Sequence, residues 1–202
     1  MYRSFIIALS IVAAFTCGFY SGGRKKAPAA SFHDMVVERP YDYTRLITPK
    51  DARIKLLVLD LKTPEQAFAY VRDRVAYDSA QPALPAGDIL TEGRASCLGK
   101  AVLLCSLYRA MGIPASQVRV VTGEVEGGDG IIDHAWVDME HKGVCIQQDA
   151  TDLIGRFTFD QFRGNSYTKA FIRREAYVFN DKQFAVVSRL NQMKGSGHPL
   201  IP

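Results

Sequence analysis

Residues 94–112 read RASCLGKAVLLCSLYRAMG, and this stretch decides the fold. Leu98, Ala101, Val102, Leu103, Leu104, Cys105, Leu107, Tyr108 and Met111 leave almost no polar surface if the segment is helical. A helix apolar on nearly every side must be enclosed by the rest of the chain, so the segment predicts the centre of a core. The helix starts at Ser96 or Cys97 and stops near Met111, where Gly112 supplies a C-cap and Pro114 blocks continuation.

Upstream of it the sequence predicts further helices. Thr48-Pro49 reads as an N-cap followed by a proline at the first helical position, where its missing N–H is no loss. Thr63-Pro64-Glu65-Gln66 repeats the device, with Gln66 at the capping-box position. The helix it opens carries Ala67, Phe68, Val71 and Val75 on one stripe and is expected to end near Tyr77-Asp78. Residues 79–93, with Pro82, Pro85, Gly87 and Gly93, read as a loop.

Downstream the periodicity changes to strands. These are expected at 117–126, 131–139 and 144–149, with turns at 127–130 and 140–143, followed by a hairpin of 171–179 and 183–187. Helices followed by consecutive strands predict an α+β domain in which the central helix packs on an antiparallel sheet.

Ser4 to Tyr20 is a run without charge, preceded by Arg3 and followed by Arg24-Lys25-Lys26. It predicts an uncleaved single-pass anchor helix rather than a cleaved signal, since no convincing small-residue cleavage site ends it. The basic flank after the run favours a cytoplasmic domain, whereas the very short N-terminal flank resembles an exported signal anchor; the reading adopted is the exported side. The expected layout is an anchor at 1–21, a linker and lead-in at 22–45, a folded domain at 46–188 and a loose tail at 189–202.

Composition narrows the function. The net charge of +4 comes from basic residues scattered among acidic ones, without the stripe a nucleic-acid binder concentrates. The four cysteines show no CxxC spacing, so neither a zinc ribbon nor a redox pair is indicated. EF-hand, P-loop and GxGxxG patterns are missing from the sequence, and no cofactor is expected.

Cys97 is the candidate nucleophile. At a helix start, free N–H groups and the positive end of the macrodipole favour a thiolate, which is an effective nucleophile at neutral pH. With the following turn centred on His141-Lys142, opposed residues of the hairpin have numbers summing to 283. His134 and Asp149 then face each other directly, close enough for the carboxylate to fix the imidazole tautomer. The other ring nitrogen is left to take the thiol proton. The opposite face of the hairpin carries Ala135, Val137, Met139, Val144 and Ile146, as a core-facing surface should. His141 reads as a solvated turn residue and Cys105 as core. Cys145 shares the polar face of the hairpin, so a metal site of Cys97, His134 and Cys145 is conceivable, but the thiol reading is preferred and no metal is expected.

Three blocks carry a resemblance: GRASCLGKAVLLCSLYRAMGIPASQVRVVTG (93–123), DHAWVDM (133–139) and VCIQQDATD (144–152). In this order they resemble the transglutaminase-like superfamily over about residues 63–152, with a plausible extension back to residue 48. Its members have a cysteine heading a helix, an apolar run ending in Arg-Ala-x-Gly-Ile-Pro, a His-Ala-Trp strand and an Asp-Pro-Thr strand end. The resemblance implies a papain-like fold and places the family's catalytic residues on Cys97, His134 and Asp149. It further implies acyl transfer through a thioester on peptide or protein amides, with the Cys97 backbone N–H as an oxyanion donor. Hydrolysis is expected over crosslinking, since nothing indicates an amine-acceptor site. The sequence departs from the family at Gly99, often acidic, at Ala150, usually proline, and in lacking the usual tryptophan before the aspartate strand. A non-catalytic module binding a peptide or cell-envelope partner in the same cleft is the alternative.

Overall fold

The computed structural model describes residues 42–128 and 130–187. The expected anchor and tail, and the linker before residue 42, lie outside the described residues. After a single 3₁₀ turn (Tyr43–Leu46) the order is α1 (Ala52–Leu61), α2 (Pro64–Arg74), β1 (Ala76–Tyr77), α3 (Ala86–Glu92), β2 (Arg94–Ala95) and α4 (Cys97–Ala110). There follow β3 (Val118–Gly127), β4 (Gly130–His141), β5 (Val144–Gln148), β6 (Phe162–Arg163), α5 (Ser166–Phe171), β7 (Ile172–Phe179) and β8 (Phe184–Val186). Among the described residues no helix is long and apolar enough to cross a membrane.

The predicted central helix is α4. Val102, Leu103, Leu104, Cys105, Leu107 and Tyr108 are all fully buried, with α1, α2 and α3 packed on one side and β3 and β4 on the other. Each such leucine contributes about 1.5–3 kcal/mol of transfer free energy. The polar exceptions find partners. Ser106 Oγ donates to Val102 O at 2.8 Å and accepts from Thr48 N at 3.1 Å, and the Tyr108 hydroxyl donates to Gln148 Oε1 at 2.8 Å.

Thr63 caps α2 as expected, its hydroxyl accepting from Gln66 N at 3.3 Å. Thr48 does not cap α1. Its N–H is engaged by Ser106, its hydroxyl accepts from Gly87 N at 3.3 Å, and Asp51 caps the helix instead by accepting from Arg53 N at 2.8 Å. The stretch read as a loop contains α3. Pro85 at its N-cap and Gly93 in left-handed conformation at its C-cap (φ 66°) are boundary residues of a helix rather than signs of its absence. Helix α2 stops at Arg74, earlier than expected, and Ala76–Tyr77 pairs in parallel with Arg94–Ala95.

The main sheet has the order β6-β5-β4-β3-β7-β8 with antiparallel pairing throughout, as an α+β domain requires. The β4–β5 register differs from the expected one. Met139 faces Ile146 and Glu140 faces Cys145, so opposed numbers sum to 285. The loop is Lys142-Gly143, both at positive φ (52° and 76°), which is the two-residue hairpin geometry that favours glycine at the second position. A slip of two residues preserves the faces, whereas a slip of one would exchange them.

One face of the sheet holds α4. The other is closed by the chain between β5 and β7, where Phe157, Phe162, Tyr167 and Phe171 cluster with Trp136. Ring centroids lie 4.8 Å apart for Phe157–Phe162 and 5.8 Å for Trp136–Tyr167. This aromatic layer, with β6 and α5 in it, was not foreseen from the sequence.

Candidate active site

Cys97 is the first residue of α4 and is half-buried. The parallel β1–β2 ladder fixes the chain entering the helix, with Ala76 N donating to Gly93 O at 2.9 Å and Asp78 N to Ala95 O at 3.0 Å. Ser96 stands at the N-cap in extended conformation but its side chain caps nothing, so the first-turn N–H groups of α4 stay open. Gly99 lies against the entering chain: a Cβ there would stand 2.8 Å from the Ala95 Cβ. The acidic residue common at this position in the resembled family therefore does not fit without a shift of the strand.

His134 lies on β4 opposite Gly123 of β3. Glycine is required at 123 by the approach of β7, because a Cβ would sit 2.0 Å from Arg174 O. The β5 ladder ends at Gln148, so Asp149 follows the strand and reaches His134 diagonally rather than straight across. The contact is made nonetheless: His134 Nε2 lies 2.8 Å from Asp149 Oδ2, with both side chains wholly buried. Asp149 is held on its other side by Thr151, whose N–H and hydroxyl both donate to Oδ1 at 2.8 Å. This local turn forms with Ala150 where proline is usual in the family.

Burial alone would lower the His134 pKa, but the hydrogen bond to Asp149 and the interaction with Cys97 outweigh it and raise the value to about 9. With Nε2 engaged by Asp149, the remaining nitrogen Nδ1 is buried and makes no hydrogen bond of normal geometry. The structure thus pairs His134 with Asp149, by a register other than the one predicted, and Cys97 acts on the same imidazole.

Two residues near the site were not anticipated. The Tyr167 hydroxyl donates to Asp149 Oδ2 at 3.1 Å, the same oxygen that faces His134. Its only sequence signal was the recurrence of aromatics between 157 and 171. Lys100, three residues after Cys97 on α4, is 2% exposed and donates to Arg72 O at 3.2 Å, near the end of α2. Burial lowers its pKa.

The remaining candidates fall elsewhere. Cys105 is fully buried, and desolvation drives its pKa far upward. Cys145 is exposed at the far end of the hairpin, where burial of the sulfur and Asp138 push its pKa to about 11. His141 is not free in solvent: it lies 3.4 Å from Glu65 and packs edge-on against Phe159.

Residues 59–149 match the model of the transglutaminase-like superfamily. That segment, which holds Cys97, His134 and Asp149, is similar to the transglutaminase-like superfamily. Among solved structures it is similar to a candidate cysteine protease from Cytophaga hutchinsonii, at 20% identity and a TM-score of 0.44, over 70% of this chain and 53% of that one. This chain thus spans about half the length of that protein. It is similar as well to Legionella pneumophila LapG, at 12% identity and a TM-score of 0.45, over 74% of this chain and 80% of that one. No protein of curated function matches it in sequence.

Proposed function

We propose that the domain is a cysteine-dependent amide hydrolase acting on peptides or proteins. The observation that supports this most directly is the buried His134–Asp149 pair, whose free ring nitrogen is the one available to Cys97. In the proposed reaction the Cys97 thiolate adds to the amide carbonyl carbon, forming the C–S bond and a tetrahedral oxyanion. The oxyanion collapses, the C–N bond breaks and protonated His134 gives its proton to the leaving amine. Water, deprotonated by His134, then cleaves the thioester and returns Cys97 to its resting form. Asp149 holds the imidazole tautomer and stabilises the imidazolium throughout. An amine in place of water would give crosslinking by the same steps. The apolar run of residues 4–20 is proposed as a membrane anchor that leaves the domain on the exported side.

The test is the pH dependence of Cys97 alkylation by iodoacetamide on the full chain in detergent, with His134→Ala alongside. Alkylation is expected well below the ordinary thiol pKa of about 8.5 and is lost from that range in His134→Ala. A Cys97 that titrates as an ordinary thiol, indifferent to His134, would overturn the hydrolase reading and leave a peptide-binding cleft.

A further inference from the structure

Between residues 157 and 171 the aromatic residues are Phe157, Phe159, Phe162, Tyr167 and Phe171, and only Tyr167 carries a hydroxyl. Its ring is wholly buried, with the centroids of Phe162, Phe171 and Trp136 at 5.1, 5.2 and 5.8 Å from its own. A phenylalanine would fill the same space without burying a polar group, which costs free energy unless a partner is found. The partner here is the Asp149 carboxylate, to whose Oδ2 the hydroxyl donates at 3.1 Å. Tyr167 lies outside the segment that matches the family model.

The reach of that hydroxyl is set by the residue beside it. Thr168 donates its N–H to Gln147 Oε1 at 3.0 Å, and Gln147 Nε2 donates in return to Thr168 Oγ1 at 2.8 Å. Gln147 lies on β5, and both residues of this clamp are buried. Helix α5 is therefore locked to the strand that delivers the carboxylate. Four donors then converge on Asp149: the N–H and hydroxyl of Thr151 on Oδ1, and Tyr167 with His134 Nε2 on Oδ2. Because Oδ2 is shared, the phenol draws charge from the oxygen that holds the imidazole, and a weaker opposite charge holds a protonated ring less tightly. Burial, and after it the charge of Asp149, drive the Tyr167 pKa far upward, so the phenol remains a donor while histidine titrates. Among the described residues, Asp149 and Cys97 are the groups that act on His134, and β3 presents only Gly123 opposite it. The charge of Asp149 also reaches Tyr77 of β1 and Lys100 of α4.

Resting on the hydrolase reading, we propose that Tyr167 is a positioning residue that acts through Asp149: its hydroxyl fixes the carboxylate against His134 and moderates its charge, so that the imidazolium releases its proton to the leaving amine. The proton of the phenol stays in place throughout. Wholly buried, Tyr167 has no access to substrate.

The test reads the ring itself. The full chain in detergent is prepared with isotope-labelled histidine and titrated by NMR, the His134 resonance being identified by its loss in His134→Gln. In Tyr167→Phe the ring stays and the hydroxyl goes. The His134 midpoint is expected to move upward by about one pH unit, as the loss of one hydrogen bond to a charged partner implies, and the upper limb of the Cys97 alkylation profile to move with it. Phe171→Leu loosens the same aromatic layer but keeps the hydroxyl; it is expected to lower the melting temperature and leave the His134 midpoint at the wild-type value. An unchanged or lowered midpoint in Tyr167→Phe overturns the assignment. So does an equal shift in Phe171→Leu, which would make packing the cause. A wild-type Cys97 that alkylates as an ordinary thiol, with the His134 midpoint still moved by Tyr167→Phe, overturns the hydrolase reading and the positioning role with it.

Discussion

Helix α4 carries two cysteines in opposite circumstances. Cys97 opens the helix, half-buried beside His134, with the uncapped N–H groups of the first turn around it. Cys105, two turns on, has no exposed surface, and desolvation holds its thiol protonated far above neutrality. Residue type and secondary structure are the same. What differs is the position along the macrodipole and the presence of an imidazole whose other nitrogen is already engaged by a carboxylate. The comparison teaches that the surroundings of a cysteine differ with its place on one helix, and the proposed function assigns reactivity to the place that Cys97 occupies.

Paired substitutions give the sharpest contrast. Cys97→Ser is expected to reduce turnover by more than about 10³-fold while leaving the melting temperature nearly unchanged. Cys105→Ser should retain turnover but destabilise the fold by about 1–3 kcal/mol, since a hydroxyl is buried where a thiol was. Turnover and urea unfolding measured on both variants would break the comparison if the two effects were exchanged. Asp149→Asn comes next. It keeps the shape but no longer anchors an imidazolium, and kcat should fall about 10²–10⁴-fold, with iodoacetamide reactivity at Cys97 moving toward that of an ordinary thiol. Unchanged alkylation below pH 7 in this variant would show that Asp149 has no part in the ion pair.

The smallest effect is on stability. The folded-state pKa of His134, about 9, lies above the ordinary histidine value. A raised pKa means that the folded state holds the proton more tightly than the unfolded chain does. The resulting stabilisation is fully present below about pH 6.5 and is lost as pH rises through about 9. The melting-temperature gap between wild type and His134→Gln should therefore narrow between pH 6 and pH 10; a gap that widens would contradict the sign.

The parts of the fold visible in the sequence are those carried by strong local signals. The apolar run of α4, the Thr63-Pro64 cap and the alternation of β4 all predicted elements that are present. The His134–Asp149 contact was legible because parity survives an error of two: Lys142-Gly143 rather than His141-Lys142 forms the turn, yet the two side chains still meet, with Asp149 just past the end of the β5 ladder. Helix α3 is not legible because Pro85 and Gly93 read as loop residues, and only the burial of Ile89 between them distinguishes a helix. Tyr167 was invisible because it acts across the sheet, from a segment without periodicity, and its contact with Asp149 depends on the aromatic packing around it rather than on any local pattern. Thr48 shows the converse: a good capping sequence yields when Ser106 and Gly87 offer its N–H and hydroxyl other partners.

The strand order has a consequence for the life of the chain before it is complete. Strand β3 sits between β4 and β7, and Tyr167, which donates to Asp149, belongs to the segment just before β7. A protein is synthesised from its N-terminus, and its domain folds as a unit once enough of it has emerged. The thiol helix is therefore made first, the imidazole and its carboxylate later, and the strand that completes the sheet around them near the end. On the proposed reading, a nascent chain carrying Cys97 has an ordinary cysteine, and acquires a reactive one only when nearly all of the domain has left the ribosome.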